Sequence, residues 1–287
     1  MRNFIISVEN ACDLEADTIE KHNISVAPMN YIVNGVEMSS IDKDFDTKKL
    51  VQFMREGASI KTTQINEFEA RNYLEKLLHT GLDVLHISFS STMSNTYNNF
   101  LSVSKSLNME YENKVVVVDS LCQSGGVGVL VKALLDAIEM NKVGDINSAR
   151  DYVEKIKLNI AHIFTVENLK YLARGGRIKA TTALIGNLVQ MKPILKLDET
   201  GSMIPFKKVI GRRRAIKEIG TIVANTYKDI TKHIIITHAD CEDDANLLKK
   251  DIESRLDVEV VVVPLSPVVT AHGGPGVVAV YYTTDKR

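Results

Sequence analysis

Apolar residues fall in short dense runs separated by longer stretches with helical spacing. Phe4–Val8, Val84–Phe89 and Val115–Val118 are nearly all apolar and predict strands buried on both faces. Between them, Glu67–Leu78 places Phe68, Tyr73, Leu74, Leu77 and Leu78 at helical intervals, and Thr96–Leu107 and Val127–Glu139 predict two further helices. Strands alternating with helices are the pattern of βαβ units around a parallel sheet. The second half differs. Ile163–Val166, Ile194–Leu197 and Ser202–Val209 predict strands, with a hairpin turn over Asp198–Ser202. A helix from about Arg213 to Tyr227, strand His233–Thr237, helix Asp243–Leu256 and strands Val258–Val263 and Val277–Tyr282 complete the chain.

The expected fold class is therefore α/β with two domains. Residues 1–160 would form a largely parallel α/β/α sandwich. Residues 161–287 would form an α/β domain with some antiparallel pairing. The boundary is expected between residues 150 and 165. A chain of 287 residues accommodates two such domains.

Composition narrows the function. Lys+Arg total 35 and Asp+Glu total 36, which argues against a generally basic nucleic-acid binder. The longest apolar run, Val277–Tyr282, is far short of a membrane span, and the apolar start Phe4–Ile6 is too short for a signal peptide. A cytoplasmic protein is expected. Cys12, Cys122 and Cys241 are odd in number and widely spaced, which fits reduced thiols, and with no CxxC or HExxH no metal site is expected.

Candidate chemistry sits where strands end, the usual ligand position in open α/β sheets. Five of the seven residues Ser90–Thr96 are Ser or Thr, more than a helix cap requires, and a helix start rich in hydroxyls and free amides suits an anion. Thr62-Thr63-Gln64 precedes another helix and reads as capping or as a ligand contact, with Asn66 the candidate cap. Asp119–Gly128 lacks GxxxxGK[ST] and GxGxxG, so its glycines are read as allowing close helix packing. Cys122 within it is a candidate nucleophile or a structural thiol. Arg174-Gly175-Gly176-Arg177 sets two arginines around a glycine pair, either a carboxylate or phosphate clamp or a solvated turn. Lys207, Lys208, Arg212, Arg213 and Arg214 place five cations within eight positions, a docking face for an acidic partner or a solvated helix start. His272 is expected in a tight Gly/Pro loop ahead of the last strand, a candidate ligand. His238 and Asp240 lack a third metal ligand.

In this order the motifs resemble the DegV family, the bacterial fatty-acid-binding proteins. The resemblance is carried by Ser7–Leu14, Thr62-Thr63-Gln64, Ser90–Tyr97, Asp119-Ser120, Arg174–Ile178, Lys192-Pro193-Ile194 and His272–Gly276, and it spans essentially the whole chain. It implies one long-chain fatty acid held in a buried apolar cavity as ligand, with no other cofactor. Carried over by motif position, its carboxylate ligands are Thr62, Ser94 and His272, with Thr63 beside them and Arg174 close by. The resemblance further implies a non-catalytic carrier. A separate ATP-dependent fatty acid kinase converts the bound carboxylate to an acyl-phosphate for phospholipid synthesis. Lys207–Arg214 would dock that kinase, lipid exchange would involve transient membrane contact, and nucleic acid is not an expected partner. The chain departs from the family pattern at Glu9-Asn10, Ile65-Asn66, Thr92, Asn95 and Gly273, none of them a proposed head-group ligand.

Two other classes remain open at this level. One is an enzyme acting on a small carboxylate or phosphorylated metabolite through Cys122 or His272. The other is a regulatory protein working through its basic stretch.

Overall fold

The computed structural model describes residues 2–39, 47–179 and 190–287. Four parallel strands form the first sheet in the order β2-β1-β6-β7: β1 (Phe4–Glu9), β2 (Ser25–Ala27), β6 (Asp83–Ser88) and β7 (Val115–Asp119). The pleat sorts their side chains to two faces. Ile5 and its partner Val84 join Ala70, Leu74, Phe100 and Leu107 of the helices Glu67–Leu78 and Thr96–Glu110 on one face. Ile6 and its partner Leu85, and Val8 and its partner Ile87, face the helix Gly125–Glu139 on the other.

The second sheet is mixed, with order β10-β9-β8-β13-β11-β12: β8 (Ile160–Thr165), β9 (Met191–Leu197), β10 (Met203–Ile210), β11 (Ile234–His238), β12 (Val260–Pro264) and β13 (Val278–Thr283). Only β11 and β12 run parallel; the other pairs are antiparallel. One face, through Ile163, Ile194, Ile236 and Val280, is covered by the helices Arg212–Thr226 and Glu242–Glu253. The opposite face, through Phe164, Leu195, Ile235 and Tyr281, meets the helix Gly125–Glu139.

That helix therefore lies between the two sheets, which explains why it is apolar almost all round. Its entry is as tight as the glycine run suggests. A Cβ on Gly126 would fall on the His162 imidazole, so only glycine lets helix and β8 approach this closely.

A three-stranded antiparallel sheet, β4-β3-β5, was not expected from the sequence: β3 (Asn30–Val33), β4 (Val36–Ser39) and β5 (Ile60–Thr62). It carries Thr62 at its edge, opposite Tyr31. The short helices Ala16–Lys21, Thr47–Arg55, Lys170–Arg174 and Pro267–Gly273 and the helix Ile146–Ile156 were likewise not predicted. Among the described residues no helix is long and apolar enough to cross a membrane.

Candidate functional site

The parallel strands of the first sheet end against a face of the second, and a cavity of about 250 Å³ opens there. That is just under the roughly 300–1,000 Å³ usual for small-molecule pockets, so the space is narrow. One wall comes from the second sheet. Val277, just ahead of β13, and Ala279 and Tyr281 within it alternate toward the cavity, and Phe164 lies opposite Ala279. Met29, Phe89, Met203 and Val268 complete an apolar lining. Flexible Met side chains let such a wall adapt to its contents.

Polar groups gather at one end. Thr62 Oγ1 and His272 Nε2 share a hydrogen bond of 2.8 Å. His272 sits in the last turn of Pro267–Gly273 rather than in the loop expected for it. Pro267 at the helix start and Gly274 at its end confine the irregular backbone to the residues that follow. Gly175 makes the arrangement possible, because a Cβ there would collide with His272 Nδ1. Burial pushes the His272 pKa down to about 4, helped by the charges of Arg177 and Arg174. The imidazole is therefore neutral at neutral pH. With its proton on Nε2 it donates to Thr62, leaving the threonine hydroxyl free to donate to a ligand.

Arg177 supplies the charge. Its Nε donates to Met93 O at 3.1 Å, and its Nη1 donates to Gly175 O. Nη2 makes no hydrogen bond among the described residues, and the side chain lines the cavity. Burial lowers its pKa from the ordinary arginine value. Ser94 stands across the same end; its Oγ donates to Thr96 Oγ1 at 2.9 Å, which accepts the Ile65 N–H at 3.3 Å. This relay locks the Ser90–Thr96 loop to the Thr62–Ile65 loop. Thr63 also lines the cavity, and its hydroxyl donates to Asn30 O at 3.2 Å.

The sequence model of the DegV family, described as an uncharacterised protein family, matches residues 3–285. The chain belongs to the DegV family. Curated DegV domain-containing proteins resemble it along nearly their whole length. One from Streptococcus pyogenes serotype M3 is 30% identical over 286 residues, covering 97% of each chain. Another, from Clostridium perfringens, is 29% identical over 299 residues, covering 100% of this chain and 99% of the other. Among solved structures, a DegV lipid-binding protein from Thermotoga maritima superposes with a TM-score of 0.85 at 26% identity and covers 100% of both chains. A fatty-acid-binding DegV family protein from Thermus thermophilus does so with a TM-score of 0.85 at 25% identity, over 99% of this chain and all of the other.

Within this DegV chain, the structure brings Thr62, Thr63, Ser94 and His272 together on one cavity. Arg174 is not among its lining residues. It is exposed, its guanidinium 5.4 Å from the centre of the Tyr171 ring, and it acts on His272 only through its field. Arg177 takes the inward position. The paired arginines signalled it, but only the turn at Gly175-Gly176 decides which one faces inward. The Ser90 and Thr92 hydroxyls pair with each other at 2.9 Å and tie the loop to Gly201. Asn95 stands at the helix start without capping it, its side-chain amide donating to Asn99 at 3.2 Å and accepting from Asn98 at 2.8 Å, while Thr92 Oγ1 donates to Gly201 O at 2.8 Å. Asn66 does cap its helix, in a reciprocal box with Glu69.

Burial pushes the Cys122 thiol up to about 11, the wrong direction for a nucleophile at neutral pH. Among the described residues no cluster of three or more His, Cys, Asp or Glu side chains could hold a metal. Of the basic stretch, Lys207, Lys208, Arg213 and Arg214 are exposed. Arg212 is drawn off the surface into an ion pair with Asp244 at 2.8 Å.

Proposed function

We propose that this DegV protein is a non-catalytic carrier of one long-chain fatty acid. The tail would occupy the cavity, and the carboxylate would lie among Thr62, Thr63, Ser94, His272 and Arg177, with Arg174 adding a longer-range positive field. The observation that carries this reading is a narrow cavity with an apolar wall and a polar, cationic end at Thr62, His272 and Arg177. Each buried CH₂ contributes about 0.8 kcal/mol, so the tail supplies affinity and the polar end supplies orientation. The fatty-acid-binding and lipid-binding relatives of the same fold support it. Residues 1–160 and 161–287 act in this reading as two domains with the ligand between them.

Arg177 keeps the bound carboxylate ionised. The carboxylate oxygen then attacks the terminal phosphorus of ATP held by a separate fatty acid kinase, forming an acyl-phosphate and releasing ADP. Nucleotide, Mg²⁺ and transition-state stabilisation come from that kinase. The acyl-phosphate would feed phospholipid synthesis, with the carrier in the cytoplasm and touching membranes only to exchange lipid.

Carboxylate recognition is tested by comparing a C18 fatty acid with its methyl ester, each displacing a polarity-sensitive fluorescent fatty acid. The acid should bind at least about tenfold tighter, because the ester offers no charge to Arg177. Equal affinity would remove the head-group assignment. Reversing Lys208, Arg213 and Arg214 to Glu should lower the rate of kinase-dependent phosphorylation about tenfold at low salt and leave lipid affinity unchanged. An unaltered rate would remove this face from kinase docking.

A further inference from the structure

Polar chemistry also reaches the other end of the cavity. Gly273, the neighbour of His272, abuts Val277, because a Cβ on it would meet the Val277 side chain. From Val277 the wall runs along β13 through Ala279 to Tyr281. Four residues of strand cover about 13 Å, and an extended alkyl chain needs roughly ten bonds to span that distance. Gln123 stands at the Tyr281 end. Its N–H donates to His162 Nε2 at 3.1 Å, and His162 pairs with Tyr281 across the sheet, their rings edge to face at 5.3 Å.

The Gln123 side chain lines the cavity, yet the residue is only 4% exposed, and its amide makes no hydrogen bond among the described residues. Its polar neighbours are satisfied. The Tyr281 hydroxyl pairs with Thr237 Oγ1 at 3.3 Å and with Ser124, and Ser124 Oγ donates to Asp13. The main-chain groups of Gln123 are also committed, its carbonyl accepting the Gly126 N–H at 2.9 Å. What remains is a primary amide on a buried residue, two donors and an acceptor, open to the space reserved for the distal half of an acyl chain. A plain hydrocarbon leaves that amide unpaired.

We propose that Gln123 is a specificity residue that selects long-chain acids carrying an oxygen substituent, a hydroxyl or an oxo group, in the distal half of the chain. The inference rests on the fatty-acid reading of the site. An amide serves either substituent, donating to an oxo oxygen and exchanging hydrogen bonds with a hydroxyl. The head group stays at Thr62 and His272, and the second polar contact fixes how far the tail advances.

The test measures displacement of a fluorescent fatty acid by octadecanoate, 10-hydroxyoctadecanoate, 12-hydroxyoctadecanoate and 12-oxooctadecanoate. The wild-type chain should bind at least one oxygenated acid about tenfold tighter than octadecanoate. Gln123→Met keeps the side-chain length without its polarity and leaves the main-chain bonds in place; it should abolish or reverse that preference. Gln123→Ala gives the same comparison with a smaller side chain. Octadecanoate binding as tightly as every oxygenated acid, or a preference that survives both substitutions, would overturn the inference while leaving the carrier reading intact. Failure of the wild type to bind any of the four acids would overturn both.

Discussion

Replacing Arg177 by Met is expected to weaken carboxylate binding about 10- to 100-fold, the range for a charged hydrogen bond of about 1.5–3 kcal/mol. The corresponding change at Arg174, which is exposed and directed at Tyr171, should alter affinity less than about threefold. The contrast isolates the arginine that, among the described residues, lines the cavity. Arg177 also holds the carbonyls of Met93 and Gly175, so Arg177→Met must be checked for the loss of loop order as well as of charge. Binding of the methyl ester serves that purpose. It should be unchanged if only charge recognition is lost. Titration of the two variants against a C18 acid and its ester decides the matter, and equal losses at Arg174 and Arg177 would contradict the geometry.

The second large effect is on stability against pH. His272 has a folded pKa of about 4 against 6.5 in the unfolded chain. As pH falls from 6.5 to 4 the unfolded chain takes up a proton that the folded one refuses, so acid destabilises the protein by about 3 kcal/mol. Buried His162, its pKa lowered well below the ordinary value by burial, acts in the same direction. Asp13 works against them. Burial raises its pKa from 3.8 to about 7 despite hydrogen bonds from Ser124 and Ser266. The folded chain therefore binds its proton first as pH falls from 7, and acid stabilises by up to about 4 kcal/mol over that window. Between pH 7 and pH 4 the Asp13 slope therefore offsets part of the histidine slope in the wild type. Asp13→Asn should unmask the histidine slope, so that its stability falls by at least about 3 kcal/mol more than that of the wild type across that range. His272→Gln in the same background should recover much of the difference. Urea unfolding at half-unit pH steps measures this, and parallel profiles for wild type and Asp13→Asn would refute it.

The strands were legible because they are buried on both faces. Phe4–Glu9, Asp83–Ser88 and Val278–Thr283 are buried at all or nearly all positions, and a parallel or central strand of that kind needs an unbroken apolar run. The small sheet was not. Val36–Ser39 is mostly exposed and Ile60–Thr62 has three residues, too few to establish a period. That omission matters because the small sheet carries Thr62. The helix Pro267–Gly273 was hidden by its own composition, since glycine and proline just beyond it read as loop.

At the site, the hydroxyl-rich motifs and His272 stood out because they are polar residues at strand ends. The cavity itself did not. Phe164, Ala279 and Tyr281 look like ordinary core positions of a strand, and only the second sheet's position shows that they face a space. Gln123 carries no sequence signal for the same reason. It lies in a glycine-rich helix entry, and its significance depends on what its amide lacks as a partner. Arg177 was in view as half of a pair, but the sequence does not say which member the turn directs inward.

The most direct test of the central claim is native mass spectrometry of the purified protein, followed by denaturing extraction of whatever it retains. Close to one long-chain fatty acid per chain is expected, released on denaturation, with its identity reporting the preferred tail. A ligand-free mass, in a protein that also takes up no added long-chain acid, would contradict it.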